Sequence, residues 1–111
     1  MGRTLDFTQL KKEYLTIKLN DEKKTVLMIG TPSKRIMDEF TGLNETIATG
    51  NGADTETVNE LYKLCAKIMS FNKGGIEITA EYLEGFFDIE DLTYFFREYG
   101  DFIRSVTSSK N

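Results

Sequence analysis

The sequence predicts an α+β protein, mainly α, with an N-terminal β-hairpin followed by three to four helices packed as a small bundle. Two short runs near the N-terminus have strand character, and later segments carry apolar residues at helical spacing. The chain has 111 residues, of which 40% are hydrophobic and 29% charged, as in an ordinary globular domain. We therefore expect residues 1–111 to form a single domain.

Residues 1–30 are predicted to form an arm and a β-hairpin. Residues 14–19 alternate strictly between the two faces of a strand, and residues 25–29 are a β-rich run that can return antiparallel. The turn residues at 20–23 separate the two runs. This pattern indicates a half-buried hairpin.

The arm before the hairpin contains Leu5, Phe7 and Leu10 among polar residues. It can dock as an extended segment or as a short turn of helix. Because a two-stranded hairpin is marginal in water, the hairpin must lie on the helices, gain a strand from residues 4–8, or pair with another chain.

Helices are predicted after the hairpin because apolar residues recur there with a period near 3.6. They span residues 31–48, 54–72, 79–87 and 88–108.

The helix ends are predicted from capping residues. Thr31 with Pro32 suits the start of the first helix, Thr79 caps the short third helix, and Asp88 caps the last. The second helix starts at Asp54 or Thr55 and ends before Gly74 and Gly75, either of which can adopt a left-handed cap. Gly42 lies inside the first helix, so either that helix is weak or a neighbour approaches closely.

The sequence offers little for catalysis or metal binding. It contains no histidine, and its single cysteine, Cys65, lies among apolar residues as a small buried side chain would. The neighbouring carboxylates fit solvated helix faces or helix starts better than an acid–base or metal site. We predict no catalytic residue, no cofactor and no metal. The carboxylate pairs are Asp38/Glu39, Glu81/Glu84 and Glu90/Asp91.

Net charge and hydropathy argue against some classes of binding partner. A net charge of −4 argues against general binding to nucleic acid or anionic membranes, which requires clustered basic residues. The sequence shows no apolar run long enough to span a bilayer and no apolar signal core near Met1. We expect a cytoplasmic protein whose partners are other proteins.

Aromatic residues are concentrated toward the C-terminus, and they exceed what one face of the last helix can carry. Tyr94 points away from the apolar stripe of that helix, and Phe86 and Phe87 cannot point the same way. The surplus rings either fill the corner between the last two helices or form an exposed patch for an apolar partner. The predicted partner-binding residues are Tyr82, Phe86, Phe87 and Tyr94. The eight aromatics of the region are these four with Phe95, Phe96, Tyr99 and Phe102.

Five stretches of the chain carry a family resemblance: Leu5-Asp6-Phe7, Leu15–Leu19, Gly30–Lys34, Leu61–Ser70 and Phe86–Leu92. They resemble stretches of small tail assembly chaperones, which are encoded in long-tailed phages and prophages of Gram-positive bacteria. The resemblance implies a non-enzymatic protein in the bacterial host cytoplasm. Such a protein binds apolar helical segments of the tape measure protein and recruits tail tube subunits during virion assembly. It also allows a homo-oligomer.

Two other functions remain open at this point. The protein can be a structural tail or head–tail connector component that stays in the particle and uses the hairpin edge for strand addition. It can also be a small enzyme or nucleic-acid regulator, although composition and charge argue against both.

Overall fold

A computed structural model describes residues 2–51 and 54–108 and confirms the predicted fold class. In these ranges a two-stranded antiparallel hairpin precedes four helices. The elements are a 3-10 turn at Phe7–Gln9, strands β1 (Leu15–Lys18) and β2 (Val26–Ile29), and helices α1 (Lys34–Thr46), α2 (Thr55–Ser70), α3 (Ala80–Glu84) and α4 (Ile89–Ser108).

The hairpin packs its apolar face on the helices. Leu15 pairs with Ile29 and Ile17 with Leu27, so the alternating residues of both strands share one face. Leu27 and Ile29 are each 1% exposed. Beyond β2, the N–H of Lys73 donates to the carbonyl of Met28 at 2.8 Å. Of the three predicted ways to stabilise the hairpin, the structure uses the helices, and residues 4–8 form no strand with it.

Helix α1 starts later than predicted. Its N-cap is Ser33, whose side chain accepts a hydrogen bond from the N–H of Ile36 at 3.4 Å, so the prediction of Thr31 as the cap is wrong. A cap residue is itself extended, as Ser33 is, so the Thr31–Pro32 step alone does not exclude a cap at Thr31, and the path of the chain after β2 places the first helical turn beyond Ser33. At its C-terminal end, α1 widens into a π-type turn, Ile47–Asn51, where Gly50 has a φ of +92°. The predicted break at residues 49–53 therefore begins at Gly50, while Gly52 and Ala53 lie outside the described residues.

The C-terminal end of α2 is closed by an asparagine and not by a glycine. Asn72 donates from its amide nitrogen to the carbonyls of Met69 and Ile76, at 2.8 and 2.6 Å. Gly75 is left-handed, with a φ of +71°, but it belongs to the following turn. The predicted glycine cap is therefore wrong, because a side chain already satisfies the free carbonyl.

A serine hydroxyl also ties the segment between α2 and α3 to α2. Ser70 Oγ accepts from the N–H of Ile78 at 2.9 Å and donates to the Ile78 carbonyl at 2.8 Å. Ile78 is only 4% exposed, so this hydroxyl replaces the strand partner that the extended segment lacks.

Helix α4 begins and packs as predicted. The N–H of Asp91 donates to Asp88, and the N–H of Asp88 donates to Asp91, both at 2.9 Å. Its apolar stripe is covered by α1 and α2, with the ring of Phe40 stacked on Phe96 and edge-on to Tyr99. Burial raises the pKa of the Tyr99 hydroxyl to about 12. The other buried residues of the stripe are Leu92, Phe95 and Ile103.

The N-terminal arm projects from this core. The radius of gyration is 15.7 Å, where a compact chain of this length gives about 13 Å. Leu5, Phe7 and Leu10 are 76%, 74% and 57% exposed, so the expectation that they dock is wrong for this chain alone. Within the described ranges, no helix combines the length and apolar character needed to cross a bilayer.

Candidate functional site

Three of the four predicted partner-binding residues form one chain of rings on the α3 side. The rings of Tyr82 and Phe86 meet at 5.0 Å between centroids, and those of Phe86 and Phe87 at 5.2 Å, both edge-to-face. Thr79 caps α3 by accepting from the N–H of Tyr82 at 3.0 Å, as predicted. Phe86 and Phe87 are half-buried and pack against the core. The cluster therefore contributes to stability as well as to the surface.

Tyr82 also joins α3 to the hairpin turn. Its hydroxyl donates to Asp21 Oδ2, while Thr25 donates to the same carboxylate from its N–H at 2.8 Å and its hydroxyl at 2.6 Å. The Thr25 hydroxyl and then Tyr82 lower the pKa of Asp21 to about 2. Asp21 is 6% exposed, although the sequence indicated only a turn residue. Tyr82 thus has a structural partner inside the chain.

The position of Phe87 is set by a tyrosine on α2. Tyr62 donates its hydroxyl proton to the Phe87 carbonyl at 2.5 Å. Burial is the largest cause that raises the pKa of Tyr62, so the hydroxyl stays protonated and keeps donating. This contact fixes the junction between α3 and α4.

Tyr94, the fourth predicted residue, lies apart from the other rings. Its side chain is 60% exposed, and the Arg97 guanidinium lies 5.5 Å from its ring centroid. It comes near Phe87 only across a groove of about 500 Å³ between β1 and α4. We call this the β1 groove. It is lined by residues 15–20 of the hairpin and by Met69, Phe87, Asp91, Tyr94, Phe95 and Glu98.

One wall of the β1 groove is an open strand edge. In the described part of the chain, β1 pairs with β2 alone. The N–H of Leu19 donates to the carbonyl of Thr25 across the hairpin at 2.8 Å, and antiparallel hydrogen bonding alternates along a strand. The backbone groups of Thr16 and Lys18 therefore point outward, away from β2.

A second and larger concavity lies on the other side of the hairpin. This large groove, about 1080 Å³, runs between the base of the arm, the end of α2 and the C-terminal part of α4. Leu10, Tyr14 and Phe71 flank it with 57%, 37% and 64% of their surfaces exposed. Its charged lining residues are Lys11, Lys12, Glu13 and Lys73, and the last lies 5.2 Å from the Tyr14 ring centroid. The groove is thus apolar within and basic at its rim.

The sequence did not predict the large groove. Phe71 lies at the end of a predicted helix, Tyr14 at the start of a predicted strand and Leu10 in the predicted arm, so no shared periodicity connects them. Their side chains line one groove only in the folded chain, where the N–H of Lys73, two residues after Phe71, donates to the carbonyl of Met28 in β2.

Two of the predicted carboxylate residues form ion pairs, and the cysteine is buried. Asp38 pairs with Lys34 at 2.8 Å and Glu39 with Lys67 at 3.1 Å, so two neighbouring acids serve different partners. Cys65 is fully buried, which raises the pKa of its thiol far above the usual range. Across residues 2–51 and 54–108, no cluster of three or more Cys, Asp or Glu could hold a metal ion.

Comparisons with protein-family profiles, curated proteins and solved structures gave no match to this chain. The functional proposal therefore rests on the resemblance of the stretches named above and on the geometry of the residues.

Proposed function

We propose that this protein is a non-enzymatic tail assembly chaperone, which binds apolar helical segments of a tape measure protein and recruits tail tube subunits in the bacterial cytoplasm. The observation that supports the proposal best is the large groove. It combines exposed Phe71 and Leu10 with a concave apolar floor, which suits the stripe of an amphipathic helix.

The rim of the large groove indicates which helical segments fit. Three lysines and one glutamate line it, in a protein whose net charge is −4. A helix with acidic residues beside its apolar stripe meets complementary charge there, whereas a basic helix meets like charge. The expected client is therefore an apolar helix with acidic flanks.

A binding titration tests the groove. The probe is a fluorescent, 18-residue, Leu-rich helical peptide with Glu on its polar face, compared with the same peptide carrying Lys. We expect tighter binding of the Glu peptide, weakened by salt.

Two exposed aromatics provide a matched pair of variants. Phe71 is 64% exposed at the large groove, and Tyr94 is 60% exposed at the β1 groove. Phe71→Ser removes apolar surface that would be buried against the helix, worth about 1 to 2 kcal/mol, or about five- to thirty-fold in Kd. Tyr94→Ser should leave peptide binding unchanged. The reverse outcome would place the helix on the predicted aromatic residues and refute the assignment to the large groove.

The chaperone and the connector alternative differ in the mature particle. Mass spectrometry of purified virions should not detect a chaperone, whereas a connector component would be retained. Neighbouring genes provide a second test, since we expect a tail tube protein gene upstream and a gene for a very long helical protein downstream.

A further inference from the structure

We propose that the N-terminal arm of one copy adds as a third strand to the open edge of β1 in a second copy. Leu5 and Phe7 would then occupy the β1 groove. This contact is separate from the large groove and does not depend on any helical client.

The edge of β1 lacks a partner that this chain could supply in its described conformation. Thr16 and Lys18 direct backbone N–H and carbonyl groups outward, beside the apolar wall formed by Phe87 and Phe95. Unpaired strand edges are templates for another extended segment, and alternate side chains of that segment then enter the flanking pockets.

The arm has the pattern that such an edge requires. In an extended Thr4-Leu5-Asp6-Phe7-Thr8 segment, Leu5 and Phe7 share one face and the polar residues share the other. Both apolar side chains are about three-quarters exposed. The 3-10 turn at Phe7–Gln9 is held by a 3.4 Å backbone bond and by Asp6, which accepts from the N–H and the hydroxyl of Thr8. These bonds are exposed to solvent and the turn is short, so it opens at low cost.

The base of the arm directs it away from the edge of its own β1. A Cβ at Gly30 would lie 3.4 Å from the Tyr14 ring, and Lys73 approaches the same ring. Both neighbours are on the β2 side of the hairpin, where residues 10–14 line the large groove. The arm would have to reverse across the hairpin to reach its own edge, whereas the edge of a second copy imposes no such reversal.

Charge also favours this pairing between copies. Residues 2–12 carry three basic side chains and one acidic side chain. The helical wall of the β1 groove presents Asp91 and Glu98, and residues 80–98 carry six acids and one arginine. An arm with basic flanks is therefore attracted to the acidic α3–α4 side of another copy.

Sedimentation velocity over a range of protein concentrations tests the contact with two single variants. Phe7→Asp replaces the apolar side chain that would enter the β1 groove with a charged one, and it leaves the edge of β1 intact. Thr16→Pro removes an outward N–H without touching the β1–β2 hydrogen bonds, and Thr16→Val is its control because it keeps that N–H. Circular dichroism checks folding, and Tyr94→Lys, which repels the basic arm, replaces Thr16→Pro if proline unfolds the hairpin.

We expect the wild type and Thr16→Val to associate as concentration rises. The association constants of Phe7→Asp and of the edge variant should be at least tenfold lower than that of the wild type. An equimolar mixture of the two defective variants should form a heterodimer and nothing larger, because each mixed pair retains one arm and one edge. A wild type that stays monomeric up to about 1 mM overturns the proposal. So does self-association that survives Phe7→Asp, or a mixture that stays monomeric. If the wild type is monomeric and Phe7→Asp no longer binds the helical peptide, the arm contacts the helical client and not a second copy.

Discussion

Gly42 offers a direct test of the energetics of α1. The position is exposed in the helix interior, and a Cβ built there would have no neighbour within 4 Å. Of the two explanations for a mid-helix glycine, close approach is therefore excluded within the described residues, and the helix is simply weaker. Gly42→Ala should raise the free energy of unfolding by about 1 kcal/mol, because alanine loses less backbone entropy in a helix.

The expected change in the free energy of unfolding can be converted to a shift in Tm. At about 2.1 cal/mol/K per residue, a 111-residue chain has an unfolding entropy of about 230 cal/mol/K near its midpoint. One kcal/mol then corresponds to a rise of about 4 °C in Tm. Scanning calorimetry or a thermal melt followed at 222 nm can measure this shift.

Gly50 is the matched control for the same glycine-to-alanine change. It also has open space around its Cβ position, but its φ is +92°. Alanine is strained in the left-handed region, so Gly50→Ala should lower the free energy of unfolding by about 1 to 2 kcal/mol. A Gly42→Ala protein that melts at or below the wild-type temperature would refute the reasoning and would indicate a contact on this face of α1 in solution.

Three further predictions concern single contacts. Ser70→Ala removes the hydroxyl that pairs both backbone groups of buried Ile78, and urea unfolding should show a loss of about 1 to 3 kcal/mol. Phe40→Ala removes the ring packed on Phe96 and Tyr99, which should cost about 3 to 5 kcal/mol and change the near-ultraviolet circular dichroism. Asp21 has a pKa lowered to about 2, so it stabilises the fold above pH 4 and this contribution is lost as pH falls toward 2. Unfolding measured between pH 5 and pH 2 should depend less on pH in Asp21→Asn than in the wild type.

The sequence predicted the elements whose signals are local. The caps at Thr79 and Asp88 use hydrogen bonds between residues three apart, and the stripe of α4 is a simple periodicity. At the start of α1, Thr31 and Ser33 are both good caps by residue type, and only the path of the chain after β2 selects Ser33. At the end of α2, the competing cap was an asparagine side chain whose bonds to Met69 and Ile76 depend on the following turn.

The candidate sites were less predictable because they depend on contacts between distant parts of the chain. Tyr82 is exposed, as predicted, but the sequence did not indicate that its hydroxyl reaches Asp21, 61 positions away. Aromatic content directed attention to the C-terminal half, while Leu5 and Phe7 are the most exposed large apolar residues described. Composition shows that a side chain is apolar, but only the folded chain shows whether another element covers it.

The two grooves lie on different sides of the hairpin, and this arrangement has a consequence for assembly. The arm of each copy begins at its own large groove and, in the proposed contact, ends in the β1 groove of the next copy. Such a contact joins two different surfaces, so repeated copies form a ring or an open array. In the proposed assembly each added copy would leave its large groove free, so an array would present many of the proposed helix-binding sites in series. A long protein with repeated apolar helical segments would bind such an array far more tightly than one copy, because each bound segment raises the effective concentration of the next.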